Sequence, residues 1–129
     1  MRKLLVLAAA GLAAGCAAGG KGEGSMKTAA LRHVVLFKFK DGAPPEAIRA
    51  IEEKFRGLKA RIPGIADFEW GTNVSPEKLD QGFTHCFFVT FPDAAARDAY
   101  LPHPAHQEFV AVLRPHLDKV LVVDYVARE

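Results

Sequence analysis

Between residues 31 and 126 the apolar residues alternate at strand period, recur at helix period, and then run strand, strand, helix, strand. That order constrains the fold more than any single residue does, because alternation buries one face of a strand and a three-to-four spacing buries one stripe of a helix. Residues 33–40 (HVVLFKFK) form the first β-prone alternation, and Asp41-Gly42-Ala43-Pro44-Pro45 turns into a helix with proline in its first turn. Ala47, Ile48, Ile51, Phe55, Leu58 and Ile62 recur at helical spacing until Pro63-Gly64 ends the run. A second strand is predicted at about 65–74, a polar loop at 75–82 and a third, most strongly β-prone strand at 83–91. Pro92-Asp93 opens a short helix to about Tyr100, a second helical piece runs to about Arg114 where Pro115 ends it, and a last strand covers 120–126.

The order β-α-β-β-α-β is that of the ferredoxin-like split βαβ, an α+β fold with helices on one face of an antiparallel sheet. The other face still carries apolar residues, and in this fold class a second copy of the chain covers it, closing a dimeric α+β barrel. Strand phase groups His33, Val35, Phe37 and Phe39 on one face, Phe83, His85, Phe87, Val89 and Phe91 on another, and Val120, Val122, Asp124 and Val126 on a third. If these faces share a cleft, His33, His85 and Asp124 are its polar groups among Val35, Phe37, Phe87 and Phe109, the composition of a small-molecule pocket.

Tyr100-Leu101-Pro102-His103-Pro104-Ala105-His106 concentrates acid–base side chains on a backbone stiffened by two prolines. It suits an acid–base site, a metal site or a helix junction. As a site, His106 is the candidate base and Tyr100 the candidate hydrogen-bond donor to an oxygen gaining charge. His103 is expected to shape the turn before Pro104, and no Cys/His/acid spacing typical of a bound metal supports a metal centre. Trp70 is read as packing. The charged residues Glu46, Arg49, Glu52, Glu53, Lys54 and Arg56 are read as the solvated face of the first helix.

The first sixteen residues read as a targeting segment: Met1-Arg2-Lys3, a short apolar run and small residues ending at Cys16. This resembles the lipobox of bacterial lipoproteins, although Ala13 stands where leucine is usual. It implies lipidation at Cys16, a membrane anchor and a place in the bacterial cell envelope. Residues 17–30, rich in Gly and Ala, would form a flexible tether to a domain at 31–127. The alternative is a cytoplasmic protein started at Met26. The formal charge is +2, and without residues 1–16 basic and acidic residues balance at 15 each, so nothing favours a nucleic-acid partner. With Cys16 lipidated, Cys86 is left unpaired and, in an apolar strand, is expected to be buried and inert.

The set His33-Val-Val-Leu-Phe-Lys-Phe-Lys, Trp70-Gly71, Gly82-Phe83-Thr84-His85, Tyr100 with His103-Pro104-Ala105-His106, and Asp124-Tyr125 resembles the Dabb family of stress-responsive dimeric α+β barrel proteins. The resemblance implies the fold, a homodimer and a small organic ligand, with no cofactor and, for most members, no assigned reaction. One plant member is a polyketide cyclase working by intramolecular aldol condensation. By resemblance its base falls on His106, its supporting tyrosine on Tyr100, and cavity-lining positions on His33, His85 and Asp124. This chain departs at Phe55, where that cyclase carries a second tyrosine. A polyketide-cyclase-like or isomerase-like enzyme is thus the alternative to a ligand-binding module.

Overall fold

The computed structural model describes residues 30–128; Cys16 and the predicted signal and tether up to residue 29 lie outside the described residues. The elements are β1 (Leu31–Phe39), α1 (Pro45–Arg61), β2 (Asp67–Thr72), β3 (His85–Phe91), α2 (Ala94–Tyr100), α3 (Pro104–Leu113) and β4 (Leu117–Val126), with a 3-10 turn over Arg114–His116 before β4. The strands form one antiparallel sheet in the order β2-β3-β1-β4. This is the ferredoxin-like α+β fold, with α1, α2 and α3 packed over one face.

β1 is the central reference. Leu31, His33, Val35, Phe37 and Phe39 are buried beneath the helices, while the residues between them are half-buried on the far face. In register, Phe37 faces His85 and Val120, Val35 faces Phe87 and Val122, and His33 faces Val89 and Asp124. α1 begins at Pro45, where a missing N–H costs nothing, and buries Ile51, Phe55 and Leu58 on one stripe. The packing there is aromatic: the Phe55 ring centroid lies 4.4 Å from Phe87 on β3 and 4.4 Å from Phe109 on α3, and Phe37 lies 5.1 Å from Phe87. Such pairs contribute about 0.5–1.5 kcal/mol each beyond the burial of their area.

Several boundaries and placements differ from the sequence reading. β3 starts at His85 rather than residue 83, because Phe83 N–H closes a turn onto Asp80 O after Gly82, which sits at φ +86°. β4 starts three residues earlier than expected: Pro115 lies in the 3-10 turn, and Leu117 pairs with Phe39 across a register shift. Cys86, expected to be buried, is exposed, because its strand phase is opposite to His85 and Phe87 and so points away from the helices. Burial and then the charge of Glu69 raise its thiol above the ordinary range, which keeps it protonated at neutral pH. Glu52, expected in the solvated face of α1, instead packs against His85.

The face away from the helices carries Val34, Leu36 and Phe88, half-buried, and Leu121, Val123 and Tyr125, each about half exposed. β4 is an edge strand whose helix-side residues Val120, Val122 and Val126 are equally open. Among the described residues no helix is long and apolar enough to cross a membrane.

Candidate functional site

A cavity of about 420 Å³ opens between the helix layer and the β1–β4 half of the sheet. It lies within one chain, on the helix side of the sheet. β1 sends His33, Val35 and Phe37 into it, β4 sends Val120 and Val122, α1 sends Phe55, and α3 sends Phe109, with Arg114 just past the end of α3. Tyr100 and His106 line it too, beside Leu101, Val110, Leu113 and Leu117. The volume suits a small organic ligand, and the lining is apolar apart from a few convergent polar groups.

The proline-containing junction brings Tyr100 and His106 together. Tyr100 ends α2, Pro104 starts α3, and His103 caps that helix by accepting from Ala105 N–H through Nδ1 at 3.0 Å. The break folds α3 back so that the Tyr100 and His106 ring centroids stand 4.3 Å apart. His106 Nδ1–H donates to the carbonyl of Leu101 at 2.8 Å, so in the neutral ring the lone pair sits on Nε2. Burial lowers the His106 pKa below its ordinary value, helped by His33 and His103 and opposed by the Leu101 hydrogen bond. The imidazole is therefore held neutral, the form a general base needs.

Tyr100 is fully buried, and its hydroxyl has no hydrogen-bond partner among the described residues. Burial raises its pKa well above the ordinary phenol value, because phenolate would be poorly solvated there. Tyr100 is thus a hydrogen-bond donor rather than a base, and an unmet one. A buried polar group left unpaired costs about 1–3 kcal/mol, which a ligand oxygen would relieve.

His33 is held differently. Its Nδ1–H donates to Asp124 Oδ1 at 2.6 Å, and Arg97 Nη1 donates to Asp124 Oδ2 at 2.6 Å. Burial alone would raise the Asp124 carboxyl, but the hydrogen bonds from Arg97 and His33 outweigh it and hold the group below the usual carboxylate range. Asp124 therefore stands behind His33 rather than in the cavity wall.

Of the residues singled out from sequence, His33, Val35, Phe37, Tyr100, His106 and Phe109 surround one cavity. His85 and Phe87 do not line it. Phe87 is fully buried in the ring cluster that separates them from it. His85 sits under Trp70, stacked with an interplanar angle of 4°, and pairs with Glu52 Oε1 and Thr84 Oγ1, both at 2.8 Å. It borders a separate hollow beneath the β2–β3 loop with Asp80 and Cys86. Among the described residues no group of three or more His, Cys, Asp or Glu side chains is placed to hold a metal ion. The sequence reading missed Arg97 and Arg114. Arg97 carried a signal, because it lies three residues before Tyr100 and so on the same side of α2.

An apolar cavity with a neutral histidine, an unpaired tyrosine hydroxyl and a carboxylate-backed histidine lies under helices that roof a ferredoxin-like α+β sheet. The chain belongs to the Dabb family, whose signature, described as a stress responsive A/B barrel domain, matches residues 31–127. It is 44% identical over 95 residues to the stress-response A/B barrel domain-containing protein HS1 of Arabidopsis thaliana, covering 74% of this chain and 87% of that protein. It is 32% identical over 100 residues to olivetolic acid cyclase of Cannabis sativa, covering 78% of this chain and 99% of the cyclase. Among solved structures it is similar to a hydroxynitrile lyase from Passiflora edulis, with a TM-score of 0.74, 27% identity and coverage of 79% of this chain and 96% of the lyase. A dimeric ferredoxin-like protein of unknown function from Jannaschia sp. CCS1 is similar too, with a TM-score of 0.66, 30% identity and coverage of 74% and 97%.

The lowered His106 pKa has a consequence for stability. In the unfolded chain this histidine titrates near 6.5, and in the folded chain it titrates lower. Between those values the unfolded state binds more protons, so stability rises with pH through the window and is lost on acidification below about 6.5. His106→Gln is expected to flatten that part of a urea-denaturation profile measured from pH 5 to 7. An unchanged slope would show that His106 titrates alike folded and unfolded.

Proposed function

We propose that the cavity binds a small, mostly apolar organic molecule that places an acceptor oxygen on the Tyr100 hydroxyl. The observation that carries this reading is that hydroxyl itself, buried, protonated and without a partner beside the neutral His106 ring. The ligand's apolar body would lie against Phe55, Phe109, Val120 and Val122.

A second reading is enzymatic and is favoured by the His106 tautomer. With Nδ1–H committed to Leu101, Nε2 would take a proton from carbon next to a carbonyl while Tyr100 stabilises the developing enolate oxygen. A positioned base of this kind contributes about 10²–10⁴-fold. Relatives named as a cyclase and a hydroxynitrile lyase support carbonyl chemistry in this scaffold. Phe55 offers no second hydroxyl in this cavity, so the substrate would differ from the cyclase's.

Butyrophenone, an aryl ketone, tests both readings. It is expected to raise the melting temperature of the wild type. Tyr100→Phe without ligand is expected to be as stable as the wild type or up to about 1 kcal/mol more stable, since it deletes an unpaired buried hydroxyl, and to lose most of the ligand-induced rise. Deuterium exchange at the ketone's α-carbon, followed by NMR, reports proton abstraction, and His106→Ala should slow any protein-catalysed exchange by about a hundredfold. Absence of a melting-temperature rise across straight-chain aryl ketones would sink the binding reading. Exchange no faster with the wild type than in buffer would sink the enzymatic one.

The chain is further proposed to work as a homodimer, with the far face of the sheet covered by a second copy. Val34, Leu36, Phe88, Leu121, Val123 and Tyr125 supply the apolar area, and the similar Jannaschia protein is described as dimeric. Light scattering at micromolar concentration is expected to give twice the chain mass for the wild type and a smaller mass for Val123→Asp; a monomeric wild type would refute the pairing.

The lipobox-like segment supports a membrane anchor at Cys16 and residence in the cell envelope. Cys16→Ser is expected to move the protein from the membrane to the soluble fraction. Unchanged fractionation would favour the cytoplasmic alternative started at Met26.

A further inference from the structure

We propose that Arg97 is a positioning residue of the cavity: through Asp124 it fixes the His33 ring so that Nε2 is held as a hydrogen-bond acceptor for a hydroxyl on the ligand. The proposal rests on the cavity being the ligand site, and it adds a second polar station to the one formed by Tyr100 and His106.

The argument begins with the position of Asp124. It lies near the end of an edge strand whose neighbours Val122, Val123, Tyr125 and Val126 are each about half exposed. A carboxylate on such a strand gains most solvation by turning outward into water. Its side chain is instead only 23% exposed, turned inward against a His33 side chain that is 7% exposed. Arg97 reaches down from α2 and takes Asp124 Oδ2 at 2.6 Å, which leaves Oδ1 for His33 Nδ1 at 2.6 Å. A carboxylate only accepts, so the proton between Asp124 and His33 belongs to Nδ1 and, in the neutral ring, the lone pair is on Nε2.

Arg97 is itself restrained. Its Nε donates to Asp98 Oδ1 at 2.8 Å while Nη1 serves Asp124, so the planar guanidinium spans two carboxylates. The same residue sits one turn before Tyr100 on α2, so the strut joins the helix that carries Tyr100 to the strand beside His33. The His33 and Tyr100 rings meet edge to face with centroids 5.8 Å apart. Around one cavity the chain thus sets a donor, Tyr100 O–H, between two imidazoles whose Nδ1 protons are both committed elsewhere. An isolated surface ion pair contributes little to stability, which makes a positional role the better account of so short and directed a chain of bonds.

The test uses Arg97→Gln, Arg97→Lys and Asp124→Asn in the full chain, with far-UV circular dichroism to show that each folds. The short His33 Nδ1–H to carboxylate bond should give a low-field proton resonance, assigned by its loss in His33→Gln. We expect that resonance to persist in Arg97→Lys, to broaden or vanish in Arg97→Gln and to vanish in Asp124→Asn. Binding is read with butyrophenone and its 2′-, 3′- and 4′-hydroxy forms. The best hydroxy form should bind wild type about tenfold more tightly than the parent ketone, the worth of roughly one hydrogen bond, and Arg97→Gln should abolish that preference while Arg97→Lys restores part of it. A resonance and a hydroxyl preference both unchanged by Arg97→Gln would overturn the proposal. If the wild type binds none of these ketones, the ligand reading of the cavity fails, and the resonance alone then decides whether Arg97 fixes His33.

Discussion

The rest of the structure depends on the inward phase of β1. Like β3 it has partners on both sides, but it alone joins β3 to the edge strand β4, and its odd-numbered residues face the helices. That phase puts Phe37 at the centre of the ring cluster with Phe55, Phe87 and Phe109, and it puts His33 at the far end, where the aromatic packing gives way to space. A slip of one residue would send His33 and Phe37 to the opposite face and bring Arg32 and Lys38 under the helices, so core and cavity are specified together. The cavity is where the core stops being filled.

Polar groups in such a space need partners, and the chain supplies them on one side only. His106 spends its proton on a backbone carbonyl freed at the end of α2, and His33 spends its proton on Asp124. Tyr100 has been given none. The difference follows from reach. The proline junction leaves Leu101 O beside His106, and the register places Asp124 opposite His33, but the Tyr100 ring runs between His33, Phe91 and His106 with only rings around it. Burial then pushes His106 and Tyr100 toward neutrality, His106 downward and Tyr100 upward, so that this pair favours a neutral ligand oxygen over an anion.

The order of elements was legible because each apolar run has one period and each break carries proline or glycine. The phase of β1, β3 and β4 was legible for the same reason, and with it the inward side of His33 and His85. What alternation does not encode is distance across a sheet. His85 shares a face with His33, yet it lies on the opposite side of β1 from β4, and the Phe37, Phe55 and Phe87 rings fill the ground between them. Cys86 was misread because a strand rich in Phe and Val looks buried throughout, whereas its alternate residues face outward from a sheet with helices on one side only. Glu52 was hidden among the other charges of α1, since helical spacing shows which residues leave the core but not which one finds a histidine across the layer. Arg97 could be placed beside Tyr100 by helical spacing, but its partner Asp124 is twenty-seven positions away and only the folded register aligns them.

Phe55 shows why a shared scaffold need not carry a shared reaction. It occupies the cavity wall and the centre of the ring cluster at once, 4.4 Å from Phe87 and from Phe109. A hydroxyl there would have to face the cavity, because every other direction is apolar and an unpaired buried hydroxyl is costly. In this chain the position serves packing, and the polar work falls to the His33, Tyr100 and His106 wall opposite. The frame of this chain is an inward β1 and a proline-broken helix pair, and on the proposed reading single positions on the first helix and the edge strand would decide how many hydrogen bonds a bound molecule meets. On the proposed reading those positions are Phe55, which would withhold one, and Asp124 with Arg97, which would hold His33 ready to accept one.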